Sequence, residues 1–341
     1  MRNQARKLII LAAVIVGLLL LSGLLIWRSS RYAELRPFDQ FKDADLARLS
    51  LSRGNSQVVL AKEGGGWRMR KPVADLADKD AVEGLLLALK GLAVESEVSS
   101  RPESLDLYGL NVASAARVTL YDAAGKSLFD GEFGKEAIGY QSAYFRWPDQ
   151  PSVYLATGVS PYQVERSSDA FREHALLPQT GASWSEIRLK SGAQAYVLKR
   201  ASTTWASQPA LPARAADALV ATLFNMRLAQ FVPDFVARRE GRLAKPILSI
   251  EAKGAGKYVA DWAIGREKLF QGGSPYYRYA ASTSRHAAGL VSVYDVESLL
   301  RVVNPKLLAE DAKVKVKAPS KKAKPGAKAA RKKAATARKK P

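Results

Sequence analysis

From Leu8 to Trp27 the chain runs twenty residues without a charge. At about 1.5 Å rise per residue, a helix of that length reaches roughly 30 Å, the hydrocarbon thickness of a bilayer. The pattern therefore predicts a transmembrane helix over 8–27. A cleavable signal sequence has a shorter apolar stretch and a small-x-small cleavage site. Here the bulky, basic Trp27-Arg28-Ser29-Ser30-Arg31-Tyr32 follows instead. A buried core helix seldom runs so far without a polar face, and Trp27 suits the membrane interface.

After the anchor the pattern changes to alternation, the period of half-buried strands. Alternating 49–53 is followed by 57–63, a Gly64-Gly65-Gly66 turn and 67–72; later, 185–191 is followed by 194–200, a short turn and 205–209. Trp67 and Trp205 are 138 residues apart, and Pro72 and Pro209 are 137 apart. Helical periodicity comes next in both places, over 78–92 and 213–228. At an offset of 137, Val82, Leu86 and Leu89 fall on Leu219, Leu223 and Met226, a shared i, i+4, i+7 stripe. Residues 117–135 then correspond to 248–266 at an offset of 131. Tyr144-Phe145-Arg146 meets Tyr276-Tyr277-Arg278, and Val153-Tyr154 meets Val293-Tyr294. Recurrence of residues in a fixed order marks a duplicated module.

Each copy reads as two or three hairpin strands, a helix, three or four further strands and a short terminal helix. In the first helix, Asp80 and Glu83 have capping-box spacing. Runs of antiparallel strands followed by helices predict an α+β fold, with helices packed on one face of each sheet. The expected organisation is an anchor over 1–31 with its span at 8–27, a first module over 36–180, a second over 181–310, and a tail over 313–341. The boundary between modules is expected near 178–183.

Trp67 to Pro72 followed by a helix, then Tyr108-Gly109-Leu110, Gly131 and Gly134, Tyr144-Phe145-Arg146 and Val153-Tyr154, taken in that order, resemble the bacterial domain-of-unknown-function 4340 family. The likeness runs from about residue 36 to 310. It implies a single-span protein with an extracytoplasmic body. Some members are similar to auxiliary, substrate-binding-like subunits of ABC-type exporters, including those of gliding motility. The resemblance brings no catalytic residues. The second copy departs from the pattern, having residues 234–246 where Tyr-Gly-Leu would follow the helix.

Charge refines the picture. The net charge of +21 belongs to the ends: five basic residues and no acid over 1–31, thirteen and no acid over 313–341. Between them lie 35 basic and 32 acidic residues, so the body is nearly neutral. Basic residues flank the span on both sides, which leaves the positive-inside rule close to a tie. The short N-terminal stub favours N-in, a periplasmic body and location in the bacterial inner membrane. With no cysteine, disulfides, Cys-ligated zinc and a thiol nucleophile are excluded.

The chain carries few chemical motifs. Residues 123–127 and 254–258 contain Gly-Lys, but a phosphate loop needs a glycine five residues earlier, where Leu120 and Glu251 stand. Both read as hairpin turns. His174 and His286 have no second histidine at ligand spacing and read as structural. Asp75, Asp78 and Asp80 precede a helix, where carboxylates cap and oppose the dipole. No serine sits in a nucleophile-elbow motif. The expectation is a non-enzyme without cofactor or metal. Trp67, Trp205, Tyr144, Tyr276 and Tyr277 read as groove or core aromatics, their recurrence favouring core.

The tail has too few large apolar residues to fold by itself. Its Lys321, Lys322, Lys324, Lys328, Arg331, Lys332, Lys333, Arg338, Lys339 and Lys340 form a polycation suited to anionic lipid or an acidic envelope polymer. With reversed topology the same tail would bind nucleic acid. The functional expectation is a membrane-anchored extracytoplasmic binding or scaffolding protein, partnered with a transporter or another membrane-protein complex. The alternative is a cytoplasm-facing tether for nucleic acid.

Overall fold

The computed structural model describes residues 15–17, 35–40, 42, 45–178, 184–254, 259–268 and 276–307. The span expected over 8–27, apart from 15–17, lies outside them, as do the tail over 313–341 and the junction at 179–183. Among the described residues, no helix is long and apolar enough to cross a membrane.

The described chain is α+β, with two antiparallel sheets. The first sheet uses β1 (Leu46–Arg53), β2 (Ser56–Glu63), β3 (Gly66–Lys71) and β4 (Asp75–Leu76), then, after helix α1 (Lys79–Lys90), β5 (Ala93–Ser99). It is completed by β6 (Ala116–Asp122), β7 (Ser127–Glu136), β8 (Ser142–Arg146) and β9 (Val153–Thr157), after which comes the one-turn helix α2 (Pro161–Val164). The second sheet begins with β10 (Trp184–Ser191), β11 (Gln194–Ala201) and β12 (Thr204–Gln208), followed by α3 (Ala213–Asn225), β13 (Leu228–Phe231) and α4 (Asp234–Glu240). It closes with β14 (Leu248–Gly254), β15 (Val259–Lys268), β16 (Tyr277–Ser282), β17 (Ala287–Ser292) and helix α5 (Val293–Val303).

The strand orders are β4-β3-β2-β1-β6-β7-β8-β9-β5 and β12-β11-β10-β14-β15-β16-β17-β13. Apart from the two-residue β4 they are the same topology. Register agrees: Leu49 lies between Leu60 and Leu120, and Ile187 between Leu198 and Ala252. Trp67 faces Lys62 across its hairpin as Trp205 faces Arg200.

Register also corrects the later part of the repeat. Tyr144 pairs with Leu155, and at the equivalent point Tyr279 pairs with Leu290. The counterpart of Tyr144 is thus Tyr279, three residues beyond Tyr276. Val153 opens a strand whereas Val293 opens a helix. The physical reason is a longer β15–β16 connection, which raises the offset from 131 to 135, so that Val153 corresponds to Ala288 rather than to Val293.

Helix α1 buries Val82, Leu85 and Leu89, with Leu86 half-buried, so the inward stripe is i, i+3, i+7. Its N-cap is Asp78, whose side chain accepts from the Ala81 N–H at 3.0 Å. Asp80 lies in the first turn rather than at the cap. Leu219 and Leu223 of α3, with Met226 just beyond it, enter the second core as expected, and α5 adds Val296, Leu299, Leu300 and Val303.

Helices α1 and α2 cover one face of the first sheet as expected, but α4 adds a helix on the second face of the second sheet, and both sheets are covered on both faces. Successive strand residues point to opposite faces. In β8, Ala143 and Phe145 belong to the main core, while Tyr144 packs with Leu105, Tyr108 and Leu110 in a second cluster. In β16, Ala280 faces the main core and Ala281 packs with Ala237 of α4 and Leu243. Strands apolar on both sides need cover on both, and residues 105–115 and 237–243 supply it.

That cover is fastened in the same way in both halves. The Lys135 N–H donates to Tyr108 O at 2.9 Å, and the Arg266 N–H to Gly241 O at 2.9 Å. A Cβ on Gly134 would lie 2.2 Å from Tyr108 O, and one on Gly265 would lie 1.9 Å from Gly241 O. Gly109 and Arg242 both turn with positive φ, at 70° and 52°. Leu110 and Leu243 then bury beside the two glycines. Gly241-Arg242-Leu243 is therefore the second copy's equivalent of Tyr108-Gly109-Leu110.

Candidate functional site

The β2–β3 hairpin brings Lys62 opposite Trp67, and the Lys62 ammonium lies 5.6 Å from the indole centroid. Two hollows, about 530 and 510 Å³, adjoin there and share Lys62, Trp67 and Glu83. The first runs between the Gly64–Gly66 turn, Leu76-Ala77 and the chain at Glu173 and Pro178. The second runs along α1, past Leu46, Leu86, Leu87 and Lys90. Trp67 is 9% exposed, so its ring serves the core and the floor of the groove together. Leu87, by contrast, is 71% exposed at the rim.

The rim charges are balanced. Lys79 and Glu83 stand 3.7 Å apart on successive turns of α1, and Arg68 stands 4.0 Å from Glu63. Exposed pairs of this kind contribute only about 0–1 kcal/mol each. They leave a groove with an apolar floor, both signs of charge at its edge, and no hydroxyl or imidazole group among the residues lining either hollow. Such a lining can hold an apolar side chain while hydrogen-bonding a neighbouring polar backbone.

Behind the first hollow lies a buried ionic hub. The side chain of Asp75 on β4 is wholly buried, as nearly are those of Arg172 and Arg285. Arg172 Nε donates to Asp75 Oδ2 at 3.1 Å, and Arg285 Nε and Nη2 donate to Asp75 Oδ1 at 3.2 Å each. Arg285 also donates to the carbonyls of Ala175 and Glu173, at 2.6 and 2.5 Å. The Arg172 guanidinium lies 3.6 Å from the Phe231 ring centroid. Asp75 belongs to the first sheet, Arg172 to the connecting chain and Arg285 to the β16–β17 turn of the second sheet. The hub joins the halves.

Backbone bridges between Ala77 and Arg172 and between Ala175 and Arg227 run beside it. Trp262 Nε1 donates to Leu176 O at 2.8 Å, and Trp184 Nε1 to Pro178 O at 3.1 Å, so the connecting chain is held inside the second core. The turn carrying Arg285 is set by Asp261, whose carboxylate accepts from the N–H groups of Thr283 and Ser284 at 3.0 and 2.7 Å. Partial burial opposes ionisation of Asp261. The hydrogen bonds from Ser284, Thr283 and Ser282 outweigh it and hold the carboxyl below its ordinary range.

The sequence-predicted aromatics do not converge. Trp205 occupies the place of Trp67 in the other sheet, 9% exposed and edge-on to Phe224. Tyr144 lies beyond β2, β1, β6 and β7 from Trp67, on the opposite face, with its ring 4.6 Å from that of Tyr108. Tyr276 is exposed, and Tyr277 is half-buried on β16 opposite Lys268 and Ser292. The tail lysines and arginines lie outside the described residues.

The other candidates also have places. Residues 123–126 form the β6–β7 turn, closed by Asp122 accepting from the Lys126 N–H at 2.8 Å. Residues 255–258 lie outside the described residues. His174 is half-buried, its ring nitrogens 2.6 and 3.2 Å from the carbonyls of Leu228 and Asp169, while His286 is exposed in the β16–β17 turn. Among the described residues, no group of three or more metal-ligating side chains is arranged to hold an ion. Of the three acids around the start of α1, Asp78 caps, Asp80 lies in the first turn, and Asp75 is instead the centre of the hub.

A family model described as "Domain of unknown function (DUF4340)" matches residues 67–246. The chain belongs to this family. The DUF4340 match starts at Trp67, on the groove floor, and ends just before β14, so it crosses from one sheet to the other. It includes Asp75 and Arg172 of the hub; Arg285 lies beyond it. No curated protein and no solved structure matches the chain.

Proposed function

We propose that this DUF4340 protein is a membrane-anchored, extracytoplasmic binding or scaffolding subunit without catalytic activity, and that the groove beside Trp67 receives a polypeptide segment of a membrane-complex partner. The observation that carries the reading is the groove itself: an indole floor with balanced charge at the rim, set against a buried inter-sheet hub. Balanced charge suits a protein segment better than a polyanion such as a nucleotide, which would call for an excess of cations. The uncharged stretch 8–27 supplies the anchor, and the resemblance to accessory subunits of ABC-type exporters supplies the kind of partner.

The test is done in intact cells with a photoreactive residue in place of Leu87, together with a Ser202→Cys variant of the chain for topology. Ser202 lies exposed in the β11–β12 turn. The expected result is labelling of the cysteine by a membrane-impermeant maleimide, and one discrete adduct at 87 that is lost when Lys79 and Glu83 are reversed in charge. Labelling only after lysis would overturn the extracytoplasmic reading and favour the nucleic-acid tether. Correct topology without a groove-dependent adduct would overturn the binding role of the groove.

A further inference from the structure

Five chain segments share one hydrogen-bonded row near one end of the first sheet. Leu35 bridges Val94 of β5, Val94 pairs with Ala156 of β9, Ala156 with Ala143 of β8, and Ala143 with Glu136 of β7. At about 4.8 Å per strand, Leu35 and Glu136 are roughly 19 Å apart along the row. Just past it, in the β7–β8 connection, Ile138 and Tyr140 are 95% and 89% exposed. Tyr162, 75% exposed, follows β9 at the same end. Leu107, 68% exposed, is held there by Lys135, whose Nζ donates to Leu107 O at 3.0 Å.

The other end of these strands is different. Its turns are Ala123-Ala124-Gly125-Lys126 and Pro148-Asp149-Gln150-Pro151, with no exposed large apolar side chain among them. Large apolar groups gathered at one end, with only Val98 of β5, 41% exposed, toward the other, mark a surface made to be covered.

What covers it follows from the tether. Eight residue steps separate Trp27, the end of the expected span, from Leu35, at most roughly 29 Å of extended chain. Leu35 therefore stays within that distance of the bilayer surface, and the rest of the row, which extends roughly 19 Å further, can be turned so that the apolar end of the sheet meets it. Tyrosine is suited to this place, since its ring buries while its hydroxyl stays among headgroups. We infer that this end of the first sheet rests on the membrane, with Ile138 and Tyr140 entering the interfacial layer and Tyr162 and Leu107 at its rim. The inference rests on the reading of 8–27 as a span. It gives the body a fixed tilt, with the Ala123 end pointing away from the bilayer.

The absence of native cysteine permits a direct test on the full-length chain. Single variants Ile138→Cys, Tyr140→Cys and Ala123→Cys carry an environment-sensitive fluorophore in vesicles of phosphatidylcholine and phosphatidylglycerol, with or without spin-labelled lipid. The expected result is blue-shifted emission at 138 and 140 that is lost with spin-labelled lipid, and no change at 123. If the protein stays with the vesicles through an alkaline wash but 138 and 140 are not quenched, the inference falls and the anchor stands. Probes unquenched by lipid yet shielded from iodide would assign the surface to a protein contact and also overturn it. Release of the protein by the wash would overturn anchor and inference together.

Discussion

Replacing Asp75 by asparagine removes the carboxylate shared by Arg172 and Arg285 and leaves two guanidinium groups in a space from which water is excluded. The side chains are 0%, 9% and 3% exposed, respectively. Breaking a buried ion pair at one partner costs about 3–5 kcal/mol, chiefly because the remaining charge stays desolvated. For a body of this size that corresponds to a fall in melting temperature of about 10 °C. Arg172→Met is different in kind. It leaves Asp75 paired with Arg285, and Asp169, which also faces Arg172, has a half-exposed carboxylate that water can solvate. Losing one charge-assisted contact there should cost about 2 kcal/mol. Arg285→Met should fall between the two, since it strands the carbonyls of Ala175 and Glu173. Calorimetry on the full chain in mild detergent measures all three. Because the hub joins the sheets, Asp75→Asn should also split the unfolding endotherm into two. A melting temperature for Asp75→Asn within about 2 °C of the parent, or an Arg172→Met variant at least as damaged, would refute the reasoning.

Three further outcomes are expected. Gly134→Ala and Gly265→Ala each place a Cβ against a backbone carbonyl and should cost about 1–3 kcal/mol in denaturant titration, with partial unpacking of Tyr108 or Leu243. Asp78→Ala removes the α1 cap and faces Arg227 no longer, lowering stability by about 1 kcal/mol. Asp261 is held ionised in the folded state, so its contribution is present above the ordinary carboxylate range, near pH 4, and is lost as pH falls through its depressed folded value. Asp261→Asn should accordingly be less stable than the parent at pH 7, and urea titrations of the two should converge as pH falls below the depressed folded value.

The legible parts of this protein were those that depend on neighbours in sequence. Alternation placed β1–β3 and β10–β12, and helical period placed α1 and α3, because burial on one face imposes a period that local residues carry. The duplication was legible for the same reason as far as β7 and β15. It became misaligned where the β15–β16 connection lengthens, since only hydrogen-bonded register distinguishes Tyr279 from Tyr276 as the partner of Tyr144. Tyr108-Gly109-Leu110 and Gly241-Arg242-Leu243 share one identity in three. What unites them is a carbonyl above a glycine in a strand, a relation that exists only after the chain has folded back.

The sequence by itself determined the fold class, the repeat, the cysteine-free chemistry and the concentration of charge at the two ends. Tertiary structure decided the rest. Asp75 stood among apolar residues beside two other acids, and nothing within reach along the chain distinguished it from a helix cap. Its partners are 97 and 210 residues away, and charges so distant attract only when folding brings them into one dry space. The groove is likewise a product of that packing, because Trp67, Glu83 and Glu173 lie on three segments that meet only when the connecting chain is drawn into the second core.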